Sequence, residues 1–283
     1  QFLPNYGVFD EKRYFEKGKE NKVIEIEGNK IGLLICEDSW NLSSLYNNDF
    51  NDLDFLISIN ASPFEKGKDD KRRRYFNKIA SKYNFNFIYV NTVGGQDEIV
   101  FDGSSFIVDK EGKTINICTS FSEETYNLFS INGDFSDKSS FNYSKNIMND
   151  ESAIYNAIKI GTYDYISKSN LSGVILGLSG GIDSALTLAI ANDIFKKEEI
   201  EAILLPSIYT SDLSIQLAEQ QCKNLNINYS LISIEDINET VNKTLEKRFN
   251  GLQSDVTEEN IQSRARGLIL MSISNKIGKV LLT

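Results

Sequence analysis

Gly173-Val174-Ile175-Leu176-Gly177-Leu178-Ser179-Gly180-Gly181-Ile182-Asp183-Ser184 decides how the second half of this chain folds. Its first six residues are a short apolar run rich in branched side chains and bounded by glycine, the pattern of a buried strand. Apolar residues then recur at helical spacing through Ile182, Ala185, Leu186, Ala189, Ile190 and Ile194. A Ser-Gly-Gly turn between strand and helix leaves backbone N–H groups uncovered at a helix N-terminus, which is a site for phosphate. Gly180 and Gly181 permit unusual φ and close ligand approach. Ser179 and Ser184 add hydroxyls, and Asp183 is a carboxylate available to Mg²⁺. The plainer alternative is a glycine-rich βα turn with Asp183 or Ser184 as helix cap.

Working outward, the pattern is strand and helix in alternation. Strands are expected at 23–26, 31–36, 55–60, 87–92, 104–108, 114–118 and 126–131, with a helix at 71–83 and a hairpin turn at 109–113. The stretch 132–149 is rich in Ser, Asp and Asn and reads as a linker. Beyond it come a helix over 151–169, the strand 173–178, and then helices at 183–196, 211–225, 235–249 and 257–277. These last alternate with strands at 201–205 and 229–234, and a further strand starts at Val280. Parallel strands with intervening helices give a doubly wound sheet whose ligands sit at the strands' carboxyl ends. Two domains follow, 1–140 and 146–283.

The other informative stretch is Ile31-Gly32-Leu33-Leu34-Ile35-Cys36-Glu37-Asp38-Ser39-Trp40, an apolar strand ending at a thiol and two carboxylates. A thiol where a strand turns is placed to act as a nucleophile when a base and an oxyanion donor are near. As a lone residue it would read as a small buried side chain finishing the strand. Histidine is absent from all 283 residues, which excludes Ser–His and Cys–His catalysis within this sequence, along with His-based zinc sites. Any base for Cys36 is therefore of another type.

Composition narrows the class. A hydrophobic fraction of 41% supports packed cores, and no apolar run reaches transmembrane length. Three scattered cysteines, Cys36, Cys118 and Cys222, imply neither a disulfide framework nor a zinc knuckle. A formal net charge of −10 argues against nucleic-acid binding as the main task. The one basic run, Lys66 to Arg74, is interrupted by Asp69 and Asp70 and reads as the solvated start of a helix. A cytoplasmic, homo-oligomeric enzyme without membrane or nucleic-acid partners is expected.

Ser179-Gly180-Gly181-Ile182-Asp183-Ser184 lacks the Lys of a Walker loop. It resembles the pyrophosphate loop of the ATP pyrophosphatase group, which cleaves ATP between its α- and β-phosphates. The Cys36-Glu37 strand end resembles the nitrilase superfamily, with its Glu–Lys–Cys triad. Leu3–Glu11, Ser62–Lys68, Asn91–Asp97 and Phe101–Ser105 resemble that superfamily's neighbouring segments. Glu259–Arg266 resembles the dinucleotide-binding helix of NAD synthetases. In order, and over nearly the whole sequence, the two halves resemble the glutamine-dependent NAD synthetases. The resemblance implies the C-terminal part of a nitrilase-like αββα sandwich, then a Rossmann-like doubly wound sheet of ATP-pyrophosphatase type. It implies a carbon–nitrogen ligase that amidates deamido-NAD with ATP and Mg²⁺, using ammonia from glutamine.

Residue by residue, Cys36 would be the glutaminase nucleophile, and Tyr6, Glu37, Ser62 and Lys68 would line the glutamine pocket. Gly177, Leu178, Ser179, Gly180, Gly181, Ile182, Asp183 and Ser184 would hold ATP, with Asp183 also on the metal. Asn260 and Arg264 would contact deamido-NAD, whereas Thr210 and Ser211 read as helix caps. The triad's Lys and Glu are expected before Gln1 and further ATP contacts after Thr283, as in an internal piece of a longer polypeptide. Two other readings stay open: a non-catalytic nucleotide-sensing paralogue, and a glutamine-dependent amide synthetase for a different carboxylate.

Overall fold

The computed structural model describes residues 2–42, 50, 52–128, 130–131, 133–135 and 147–283. Most of the expected linker, 132 and 136–146, lies outside the described residues. The polypeptide forms two compact units, Gln1–Gly161 and Thr162–Thr283, each described separately below.

The first unit is built on six strands: β1 Lys22–Ile26, β2 Asn29–Ile35, β3 Phe55–Asn60, β4 Asn86–Asn91, β7 Phe106–Val108 and β8 Thr114–Ile117. They form one mixed sheet in the order β1-β2-β3-β4-β7-β8. The central β2, β3 and β4 are parallel, with Ile35 opposite Ile59 and Asn60 opposite Asn91, so their carboxyl ends form one edge. β1, β7 and β8 join antiparallel. Alternation sends Leu34, Leu56, Phe87, Tyr89, Phe106 and Val108 into one core, where Phe76, Ile79 and Ala80 of helix α2, Lys68–Tyr83, also pack. Each large apolar residue there contributes roughly 1.5–3 kcal/mol by leaving water. Helix α1, Glu37–Trp40, is a single turn directly after β2.

Several expectations are corrected here. Val93–Gln96 and Ile99–Asp102 form an antiparallel hairpin, β5 and β6, that no periodicity marked, because Gly94 and Gly95 interrupt the first arm. The strand expected over 126–131 is reduced to Ser130–Ile131, β9, paired with Asp134–Phe135, β10. Helix α2 begins at Lys68, three residues ahead of expectation, on Gly67 in the left-handed region at φ 74°. Its opening is not solvated throughout: Arg72 is fully buried and Arg73 nearly so.

The second unit takes in the last turns of helix α3, Asp150–Lys168, which crosses the boundary between the units. Its strands β11 Val174–Gly177, β12 Ile200–Leu204, β13 Tyr229–Leu231 and β14 Val280–Leu282 are all parallel, in the order β13-β12-β11-β14. Strand order reverses between β11 and β14, the position at which doubly wound sheets open a crevice. Val174, Leu176, Ala202 and Leu204 face helices α4, Ile182–Ile194, and α5, Asp212–Leu225; Ile175 and Ile203 face α6, Glu235–Phe249, and α7, Val256–Ile277. Burial on α4 differs from the apolar stripe read in the sequence. Leu188 and Ala191 are buried, whereas Ile182 and Leu186 are exposed, because the helix is apolar on nearly every face. Caps set the helix ends. Ser211 accepts from Ser214 N–H at the start of α5, and Asp255 with Glu258 forms a capping box on α7, which ends at left-handed Gly278.

Candidate functional sites

In the first unit the carboxyl edge of β2, β3 and β4 gathers the polar residues. Cys36 ends β2 at φ 42° and ψ −97°, a conformation non-glycine residues seldom adopt. Its own N–H donates to Ile59 O at 2.9 Å, which ties the turn to β3. The half-buried thiol is pushed up in pKa chiefly by burial and also by Glu37. A backbone hydrogen bond from Ala61 and the cations Lys68 and Arg72 pull it the other way. Tyr6 donates to Glu37 Oε2 at 2.8 Å, which with partial burial lifts the phenol to about 12. Glu37 also accepts from Asn41 Nδ2 at 3.2 Å. Burial and neighbouring Arg72 lower Lys68, the first residue of α2. The structure thus brings Tyr6, Cys36, Glu37 and Lys68 to one edge.

Ser62 sits just beneath, buried, with its hydroxyl accepting from Arg72 Nη2 at 3.1 Å. Sequence reasoning missed Arg72, its anchor Asp102 and the linking Asn91. Arg72 Nη1 donates to both Asp102 oxygens at 2.9 Å, and Asn91 Nδ2 donates to Asp102 Oδ1 at 3.2 Å. The signal was present as an Arg inside a run that continues into Tyr75-Phe76, but charge runs usually lie on solvated faces. On the far side of β4 and β7 lies a cavity of about 750 Å³ that Cys118 helps line. Burial and Glu124 push that thiol up to about 11, the profile of an unreactive cysteine.

In the second unit Ser179-Gly180-Gly181 joins β11 to α4. Gly180 has φ 80°, and a Cβ there would stand 2.3 Å from Ser214 O, so only glycine fits. Ser179 and Ser184 hydroxyls lie 3.0 Å apart, Ser184 donates to Gly181 O at 3.1 Å, and Gly181 N–H donates to Ser179 Oγ at 3.2 Å. These bonds fix the turn, and the N–H groups of Ile182 and Asp183, in the first turn of a 13-residue helix, have no partner within the helix. Beside the turn, a cavity of about 390 Å³ opens at the carboxyl ends of β11 and β12. Gly177 to Ser179, Ile203 to Pro206, Thr210, Ser214 and Arg266 line it among others.

Ser211 is the cap expected of it; Thr210 Oγ1 accepts from Ser207 N at 2.9 Å and also faces the cavity. Arg266, not singled out in the sequence, donates Nε–H to Leu205 O at 3.0 Å and lines the same cavity. Asn260 and Arg264 are exposed, one turn apart on α7, and neither is among the cavity's lining residues. Asp183 is exposed in the first turn of α4. Among the described residues, no three His, Cys, Asp or Glu side chains gather as a metal-binding group. No helix there is long and apolar enough to cross a membrane.

Comparison with known proteins places both sites in context. Residues 3–131 match the carbon-nitrogen hydrolase family and residues 154–283 the NAD synthase family. The chain is 40% identical over 99% of its length to a glutamine-dependent NAD(+) synthetase of Acinetobacter baylyi, of which it covers 52%. It is 37% identical to that of Thermotoga maritima, of which it covers 54%. A solved glutamine-dependent NAD+ synthetase of Acinetobacter baumannii, in complex with ADP, superposes on 99% of this chain with a TM-score of 0.90 at 40% identity; the match covers 53% of that protein. The chain spans about half the length of the curated relatives it matches.

Proposed function

A relative of the glutamine-dependent NAD(+) synthetases, with a carbon-nitrogen hydrolase segment ahead of an NAD synthase segment, needs two reactive centres, and we propose that both lie in this polypeptide. Cys36 releases ammonia from glutamine in the first unit, and the Ser179–Ser184 turn holds ATP in the second while deamido-NAD is activated and amidated.

In the first centre the Cys36 thiolate attacks the carboxamide carbon of glutamine, ammonia leaves, and water hydrolyses the thioester to glutamate. Supporting this, the strained turn at Cys36 holds Sγ at the strand end, where the Ala61 backbone donates to it and two cations offset the cost of the buried charge. Glu37 and Lys68 supply opposite charges for the amino acid's α-ammonium and α-carboxylate, and Tyr6 orients Glu37. Ser62, pinned by Arg72, lines the same pocket.

In the second centre the first-turn amides of Ile182 and Asp183 bind the phosphates, and the adjoining cavity takes the base. The nicotinate carboxylate attacks the α-phosphorus, pyrophosphate leaves, and ammonia then displaces AMP from the adenylate to give NAD. Arg266 holds an anionic or carbonyl oxygen within the cavity, and Asn260 and Arg264 contact the dinucleotide at its exposed end. A divalent ion of the Mg²⁺ type takes one or two carboxylates and completes its shell with water and phosphate, so the single exposed carboxylate of Asp183 fits it. Such an ion, when bound, neutralises phosphate charge.

The observation that carries the reading is the coexistence in one polypeptide of a strained, cation-flanked cysteine and a glycine turn with open amides beside a cavity. Its test is full-length protein supplied with ATP, deamido-NAD and glutamine as sole nitrogen source. NAD and glutamate should form in parallel. Formation of neither, with ammonium also ineffective, would overturn it.

A further inference from the structure

Arg72 enters the chemistry above only as a nearby cation and as the anchor of Ser62, yet among the described residues it is the largest fully buried side chain. Its guanidinium joins three separate elements. From α2 it reaches Asp102, at the end of β6, through Nη1. Nη2 donates to Ser62 O, Ser62 Oγ and Pro63 O, each at 3.1 Å, in the loop that follows β3. Asn91, at the end of β4, completes the frame. Its Oδ1 accepts from Ser62 N at 2.9 Å while its Nδ2 donates to Asp102. The backbone N–H, backbone carbonyl and hydroxyl of Ser62 are therefore all held. Ala61, the preceding residue, donates its backbone hydrogen bond to Cys36.

The arrangement is expensive as a means of stability alone. Burying an Arg–Asp pair generally gains little over well-packed apolar residues. Here Arg72 Nε is buried with no hydrogen-bond partner among the described residues, and the Tyr89 ring lies 5.9 Å from the guanidinium carbon. An arrangement that leaves a guanidinium donor unpaired in the core calls for a use beyond packing.

We propose that Arg72 is a positioning residue for the thiol centre: its fork locks Ala61–Pro63 so that the Ala61 N–H meets Cys36 Sγ and Ser62 faces the amide pocket. This rests on the reading of Cys36 as nucleophile. A lysine cannot do the same, because one ammonium lacks the planar fork that satisfies Asp102 and three loop oxygens together. The charged or titratable groups that bear on Cys36 are Glu37, Tyr6, Lys68, Tyr89 and Arg72 itself. Loss of Arg72 removes both a fixed donor and a cation, so the thiolate becomes harder to form.

The test uses full-length protein carrying Arg72→Met or Arg72→Lys, with the pH profile of Cys36 alkylation by iodoacetamide read on the Cys36 peptide by mass spectrometry. Glutaminase kcat and KM are measured alongside. A core variant of similar melting loss, Leu56→Ala, separates instability from positioning. Both Arg72 variants should alkylate about tenfold more slowly at pH 7, the equivalent of one pKa unit, with kcat/KM reduced at least tenfold. Arg72→Lys should restore neither, and Leu56→Ala should keep the parental profile. Arg72→Lys within twofold of the parent in both measurements overturns the proposal, as does a Leu56→Ala profile that moves equally. If neither Arg72 variant folds, Asp102→Asn, which keeps Arg72 but frees it, must move the profile in the same direction; an unmoved profile overturns the proposal. Glutaminase activity that survives Cys36→Ala would instead refute the nucleophile, while the alkylation profiles still judge the positioning.

Discussion

Gly180→Ala against Gly181→Ala separates a phosphate-binding turn from an ordinary βα connection, because two adjacent glycines answer to opposite constraints. At Gly180 φ is 80°, which costs a residue with a Cβ about 1–2 kcal/mol. The added methyl would also stand 2.3 Å from Ser214 O, about an ångström inside ordinary contact, against the backbone of α5. Relief requires the turn or the first turn of α5 to move, and a total of about 2–4 kcal/mol follows. For a unit of this size that is a melting loss of roughly 6–15 °C. At Gly181 φ is −87° and the nearest atom is the movable Ser179 Oγ at 3.3 Å, so alanine should change stability by no more than about 0.5 kcal/mol. ATP binding, followed by calorimetry, and melting are measured on both. Gly180→Ala should weaken ATP roughly 30-fold or more, corresponding to at least about 2 kcal/mol of displaced amides. Gly181→Ala should stay within a few-fold. Equal, small effects on ATP from the two substitutions would refute the assignment of the turn to phosphate, whatever happened to stability.

Cys36→Ala should abolish glutamine-driven NAD synthesis yet spare synthesis from ammonium salts; equal loss of both in coupled assays would make the thiol structural. Asp183→Asn should suppress synthesis from either nitrogen source by at least tenfold while glutamine hydrolysis persists, and near-normal ammonium-driven synthesis would remove Asp183 and the turn from the ATP site. Lys68→Ala should raise the glutamine KM about tenfold with a smaller change in kcat, since a carboxylate partner is lost; an unchanged KM dismisses that role. In the protein without glutamine, alkylation of Cys36 should still be rising with pH beyond the ordinary thiol pKa, because burial holds its pKa up. The folded state then binds this proton more tightly than the unfolded one. Its contribution to stability is therefore full below the ordinary thiol pKa and declines as pH rises through the folded value. A rate that levels off below the ordinary value would contradict it.

What could be read in the sequence was whatever local periodicity and punctuation encode. The Ser-Gly-Gly turn announced itself because strand, glycines and helix are contiguous, and the Cys36 strand end because an apolar run stops at a thiol and two acids. The two central strands of the second unit, Val174–Gly177 and Ile200–Leu204, were legible for the same reason, being largely buried and predominantly apolar. The β5–β6 hairpin was not, since its arms hold two glycines and a mixture of polar and apolar residues. Nor was the buried face of α4, because apolar residues surround that helix and periodicity cannot choose among them.

The side chains that escaped notice share one property: their surroundings are assembled from distant segments. Arg72 and Asp102 are 30 residues apart, and Arg266 meets Leu205 across 61. In sequence each is a charge on a helix or in a loop, and most such charges face water. What turns them inward is topology: parallel β3 and β4 bring Ser62 and Asn91 side by side, and β6 delivers Asp102 beneath them. A guanidinium placed there satisfies carbonyl, hydroxyl and carboxylate in a single plane, which no pattern of sequence neighbours records. Cys36 was legible as a reactive atom. The frame that aims it at a substrate exists only once the sheet is folded, and Arg72 is where sequence and site part company.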